Sequence, residues 1–123
     1  MKLILLALGG LSGTFARYLF SGAVHRCFGP RFPYGTFAVN VSGCFLIGLF
    51  ASWSEERFAL GPEARVLLMT GFCGAYTTFS TFILETSQLM RDGQHAAALG
   101  NVALSVVAGF LLFRAGWMAG RLG

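Results

Sequence analysis

Three long stretches of this sequence carry no charged side chain: Phe32 to Ser54, Val66 to Leu84 and Ala96 to Phe113. A fourth, Leu3 to Val24, is apolar apart from Arg17. Each supplies about 20 residues, enough for a helix to cross roughly 30 Å of hydrocarbon. The expected architecture is an all-α membrane protein with four transmembrane helices, over approximately residues 3–24, 32–54, 66–90 and 96–118. These spans use nearly all of the 123 residues, so a single transmembrane domain is expected and no soluble one. Charged residues make up 11% of the chain, against about a quarter in a soluble domain.

The segments between spans, "HRCFGPR", "SEERFALGPEAR" and "RDGQH", are short and polar and carry Gly or Pro turn signals. The first stretch runs into "GGLSGTFARY" with no small-residue cleavage site before polar sequence, and reads as a retained helix rather than a signal peptide. Cys27, Cys44 and Cys73 are odd in number and form no CxxC pattern, which argues against a zinc site or a disulfide framework. His25 and His95 fall in loops without a ligand-spaced partner.

An even number of spans puts both termini on one side. That side carries Lys2, Arg57, Arg65 and Arg121, and the opposite side Arg26, Arg31 and Arg91. The positive-inside rule finds almost no bias in such a set, so the chain is expected to insert in both orientations. The net charge of +4 therefore bears on topology more than on nucleic acid, and no nucleic-acid partner is expected. A four-helix unit this small buries little surface alone. With both orientations present, the economical assembly is an antiparallel homodimer with its two-fold axis in the membrane plane. The GxxxG pairs Gly9/Gly13 and Gly116/Gly120 let helices approach closely, either between subunits or within one.

Polar residues inside the spans mark candidate function. Arg17 lies roughly 22 Å along the first span, within snorkelling reach of an interface. It reads as an interface anchor or as the basic residue of an anion-attracting vestibule. Thr36, Asn40 and Gly43 share one face of the second span, and Asn101, Ser105 and Gly109 form a second stripe on the fourth. The Asn40 amide needs a partner in hydrocarbon, either a neighbouring helix or a permeating ligand. Two stripes in so small a protein favour a pathway over interhelical glue alone.

The third span holds "GFCGAYTTFSTF", residues 71–82. Gly71 and Gly74 each cost a helix about 1 kcal/mol relative to alanine, and Thr77 and Thr78 are β-branched. Either the helix breaks here and gives its freed carbonyls to a cation, or it continues and the hydroxyls bond back to the preceding turn. Phe79 and Phe82 follow on one face. Beside hydroxyls and an amide, the electropositive ring edges suit a small anion. Glu85, one turn further on, would repel an anion inside a pore and is placed in a vestibule.

Taken in order, "GGLSGTFARY", "PYGTFAVNVSGCFLIG" and "GFCGAYTTFSTF" resemble the Fluc/CrcB fluoride channels across the whole chain. The resemblance implies a dual-topology antiparallel dimer in the cell membrane, with the third helix broken mid-membrane and a structural sodium ion at the dimer centre. It implies that Asn40, Phe79, Phe82 and Ser105 line the fluoride pore, and Thr36, which shares the Asn40 face of the second span, is expected beside them. It further implies that the main-chain carbonyls of Gly74 and Thr77 hold sodium, and that Arg17 is the basic residue of the first motif. Ala75 and Tyr76 depart from the family pattern, in which glycine and a smaller residue are common there. Fluoride would pass down its gradient, protecting a cytoplasm, with no enzymatic step. The alternative is a small proton-coupled exporter of the multidrug type, also of dual topology. That chemistry wants a carboxylate deep in the first span, where this chain has Arg17.

Overall fold

Backbone groups in lipid find no water, so an apolar stretch must satisfy its own hydrogen bonds as a helix. The computed structural model describes residues 1–122 and places no strand among them. Its elements are α1 (Lys2–Phe28), α2 (Tyr34–Glu55), α3 (Pro62–Arg65), a π-helical segment Val66–Cys73, α4 (Gly74–Tyr76), α5 (Phe79–Arg91) and α6 (His95–Leu122). Four helical segments are long and apolar enough to cross a membrane: Lys2–Phe28, Tyr34–Glu55, Pro62–Arg91 and His95–Leu122. The shortest has 22 residues and reaches ~33 Å at 1.5 Å per residue.

Turn chemistry separates them. Gly29 ends α1 at φ 86° and Gly93 turns the chain between α5 and α6 at φ 79°, both in the left-handed region that side chains disfavour. The loop after α2 is tied to the end of α6. Arg57 donates to the Gly120 carbonyl at 3.4 Å, and Arg121 pairs with Glu56 at 3.5 Å.

The helices pack through small residues. The most extensive interface is α2 against α6, and α1 lies along the π-helical segment. A side chain at Gly9 or Gly13 would collide with the carbonyl of Leu67 or of Phe72. One at Gly116 or Gly120 would strike the Phe45 carbonyl or Ser52. Both GxxxG pairs are therefore consumed within this chain, where they bring backbones into direct contact.

Little of the chain is enclosed. Val39, Val41, Cys73, Tyr76, Phe82, Leu89 and Ala98 form the buried apolar set, while Leu8, Leu11 and Phe15 of α1 and Leu104, Val107 and Leu111 of α6 point outward. Such a surface suits lipid or a partner, since water would drive it to aggregate.

Candidate functional site

The π-helical segment and α4 stop at Tyr76, and α5 starts at Phe79. Between them Thr77 (φ −94°, ψ 160°) and Thr78 (φ −150°, ψ 120°) are extended. An uninterrupted α-helix would send the N–H of Thr78 to the Gly74 carbonyl and that of Thr81 to the Thr77 carbonyl. Here both donors go elsewhere. Thr78 donates to Asn40 Oδ1 at 2.8 Å, and Thr81 donates to Thr78 Oγ1 at 3.3 Å, which caps the start of α5.

Asn40 closes this arrangement from α2. Its Nδ2 donates to the Thr78 carbonyl at 3.0 Å while its Oδ1 accepts from the N–H of the same residue, a two-point clasp on the backbone of Thr78. An amide has two N–H donors, so one remains for another acceptor. Gly43, one turn further along α2, leaves room for the Thr77 methyl group. From α1, Arg17 Nε donates to the Ala75 carbonyl at 3.0 Å. Tyr76 shares a 2.9 Å hydrogen bond with Ser42 and stacks on Phe72 with ring centroids 5.5 Å apart. The Thr77 hydroxyl bonds back to the Cys73 carbonyl at 3.0 Å.

The two phenylalanine rings stand 5.8 Å apart and tilted by 47°. Phe82 is 9% exposed and Phe79 74%, so one ring belongs to the core and the other to an open face. That face borders a cavity of about 490 Å³, whose walls include Asn40, Gly74, Thr77, Thr78 and Phe79. Thr36 faces a different cavity of about 440 Å³, shared with His25, Arg31, Glu85 and Asp92. One carboxylate oxygen of Glu85 is buried there without a partner among the described residues. Thus Asn40, Gly74, Thr77 and Phe79 come together, Thr36 joins Glu85, and Arg17 sits on the Ala75 carbonyl.

Ser105 on α6 donates to Asn101 Oδ1 at 3.5 Å, and Asn101 Nδ2 donates to Thr86 Oγ1 at 2.9 Å. The Thr86 hydroxyl donates in turn to the Phe82 carbonyl at 2.7 Å. This chain of bonds joins Ser105 to Phe82. Thr86, Ser42 and Tyr76 were not singled out by their chemistry in the sequence. The available signal for Thr86 was its place four residues after Phe82, on the same helical face.

The family profile described as CrcB-like protein, Camphor Resistance (CrcB), matches residues 4–117. The chain belongs to the CrcB family. Among relatives of this CrcB chain, the fluoride-specific ion channel FluC of Solidesulfovibrio magneticus is 48% identical over 98% of the chain and 97% of the relative. The protein of that name from Maridesulfovibrio salexigens is 44% identical over 98% and 96%. That of Acidobacterium capsulatum is 44% identical over 98% and 97%. All three relatives are named as ion channels, not as enzymes. With four segments able to span a bilayer, this CrcB chain is a multi-pass membrane protein.

Proposed function

We propose that this chain forms a fluoride-selective channel, built as an antiparallel dual-topology homodimer, which passes fluoride down its gradient and lowers cytoplasmic fluoride. The names of its relatives support the anion. The observation that carries the mechanism is the interruption at Thr77–Thr78, clasped by Asn40. The reading sets this interruption in mid-membrane, where a broken helix must line a cavity or be buried in protein.

Fluoride is small and strongly hydrated, so a path must replace its water with compact donors and yet hold it nowhere too firmly. The unspent N–H of Asn40, the hydroxyls of Thr36 and Ser105 and the ring edges of Phe79 and Phe82 meet that need. Glu85 stands in a vestibule, and Arg17 donates to the Ala75 carbonyl beside the interruption. The open face of Phe79 and the cavity beside Gly74 and Thr77 meet the partner subunit.

The donor set also suits sodium. Diversion of the Thr78 and Thr81 N–H groups leaves the carbonyls of Gly74 and Thr77 without their helical donors, while Arg17 takes the Ala75 carbonyl. Carbonyl oxygens are hard ligands, and the two-fold axis would double two to four. Sodium bound there would supply a positive charge that fixes the break at the dimer centre.

The test is fluoride efflux from proteoliposomes, with a potassium ionophore carrying the compensating charge. Rapid electrogenic efflux is expected. Efflux that instead tracks an opposing proton gradient would move the chain to the exporter class, and no fluoride movement would remove the channel reading.

A further inference from the structure

Ser105, Asn101, Thr86 and Phe82 form a hydrogen-bonded chain whose direction is set by chemistry. Asn101 Nδ2 can only donate, so the Thr86 oxygen accepts from it at 2.9 Å. The Thr86 proton then goes to the Phe82 carbonyl at 2.7 Å. Asn101 Oδ1 can only accept, so Ser105 donates to it at 3.5 Å. The reverse orientation of the amide would turn the Thr86 proton away from the Phe82 carbonyl. Every proton in the chain therefore runs from Ser105 towards Phe82.

The consequence falls on Ser105. A hydroxyl has one proton, and the 3.5 Å contact, longer than an ordinary O–H···O bond, turns this one towards Asn101, so Ser105 offers lone pairs on its other side. An anion is repelled by lone pairs and attracted by the proton. Asn101 is 2% exposed, and its oxygen has no water to turn to when Ser105 turns away. At 3.5 Å the Ser105 link is also the longest of the three, against 2.9 and 2.7 Å deeper in the chain. It is the link that can open while the other two hold.

We propose that Asn101 is a positioning residue that competes with the permeating anion for the single proton of Ser105, and so sets how tightly that hydroxyl holds fluoride. This rests on the reading of the chain as a fluoride channel with Ser105 on its path. A rival acceptor of this kind keeps binding weak enough for release, which conduction requires.

The experiment compares fluoride currents in planar bilayers, over a range of fluoride concentrations, for the wild-type dimer, Asn101→Leu, Ser105→Ala and the double variant. Asn101→Leu is expected to lower the half-saturating fluoride concentration by about twofold to threefold, the low end of a hydrogen bond's worth, as fits so long a contact. In the Ser105→Ala background the same substitution is expected to leave half-saturation unchanged. A role in packing α5 against α6 alone would not depend on the Ser105 hydroxyl. If Asn101→Leu fails to form a dimer on gel filtration, Asn101→Ala removes the same acceptor without added bulk and carries the test. An unchanged or raised half-saturation, or an equal shift with and without Ser105, would overturn the inference while leaving the channel reading intact. Absence of current from the wild-type dimer would overturn both.

Discussion

Arg17 Nε donates to the carbonyl of Ala75 at 3.0 Å, joining α1 to the chain just before the extended residues Thr77 and Thr78. The basic residue of the first span thus satisfies a carbonyl that a continuous helix would have bonded internally. Arg17→Met is expected to cost about 1.5–3 kcal/mol, the usual worth of a hydrogen bond to a charged group. Arg17→Lys should recover only part of it, because a flexible ammonium replaces a planar donor. Thermal unfolding of the purified protein in detergent measures both, and equal stability of all three proteins would refute the clamp.

Asn40→Asp keeps an acceptor for the Thr78 N–H and loses the donor to the Thr78 carbonyl. At about 4 Å and an effective dielectric near 20, repulsion between the carboxylate and fluoride is roughly 4 kcal/mol, or about a thousandfold in occupancy. Protonation removes that charge, so the defect should be greatest at high pH and ease as pH falls. Liposome efflux at two pH values, on dimers verified by gel filtration, checks the sign. Wild-type flux at high pH would leave Asn40 as interhelical glue.

The small-residue contacts predict opposite outcomes for two glycines of α6. Gly116→Ala drives a methyl group into the backbone at Phe45 and should destabilise by about 1–3 kcal/mol. Gly100→Ala meets nothing within 4 Å and should be neutral or stabilise by up to ~1 kcal/mol through helix propensity. Detergent-unfolding midpoints of the two variants decide the matter.

If sodium is held by main-chain carbonyls, its removal from both sides should weaken transport, while Thr77→Ser should change little. Serine retains the hydroxyl that bonds the Cys73 carbonyl at 3.0 Å. Loss of activity in a well-assembled Thr77→Ser dimer, with sodium removal harmless, would refute that site.

Balanced basic residues at the two ends of the spans predict both orientations in one membrane. Cys27 is exposed in the last turn of α1. In a variant keeping only this cysteine, about half of the chains should react with an impermeant thiol reagent before the cells are opened. Labelling of all or none, with Cys27 reachable after permeabilisation, would show a single orientation.

The membrane class of this protein was legible in the sequence because hydrophobic length is a sum over neighbouring residues. Charge-free stretches long enough to cross a bilayer need no knowledge of what they touch. The family was legible too, since three motifs in fixed order carry it. Glycine and threonine content marked residues 71–78 as a costly place for a helix, again from local preference alone.

Which use each polar or small residue found was decided only by the tertiary structure. Asn40 and Thr78 are 38 positions apart, and Arg17 and Ala75 are 58. Their pairing depends on how each helix is rotated and how deeply it sits, which no spacing within one helix contains. The same holds for Gly9/Gly13 and Gly116/Gly120: a GxxxG pair states only that a backbone can come close. Partner identity came from the shape of the facing helix, here the π-helical segment and α2 of the same chain. Thr36 and Asn40 share a face of α2, yet Thr36 lines one cavity with Glu85 and Leu89 of α5 and Asn40 another with Met69 and Cys73 of the π-helical segment. Local chemistry set what each segment could be, and the relative placement of helices set what each side chain could reach.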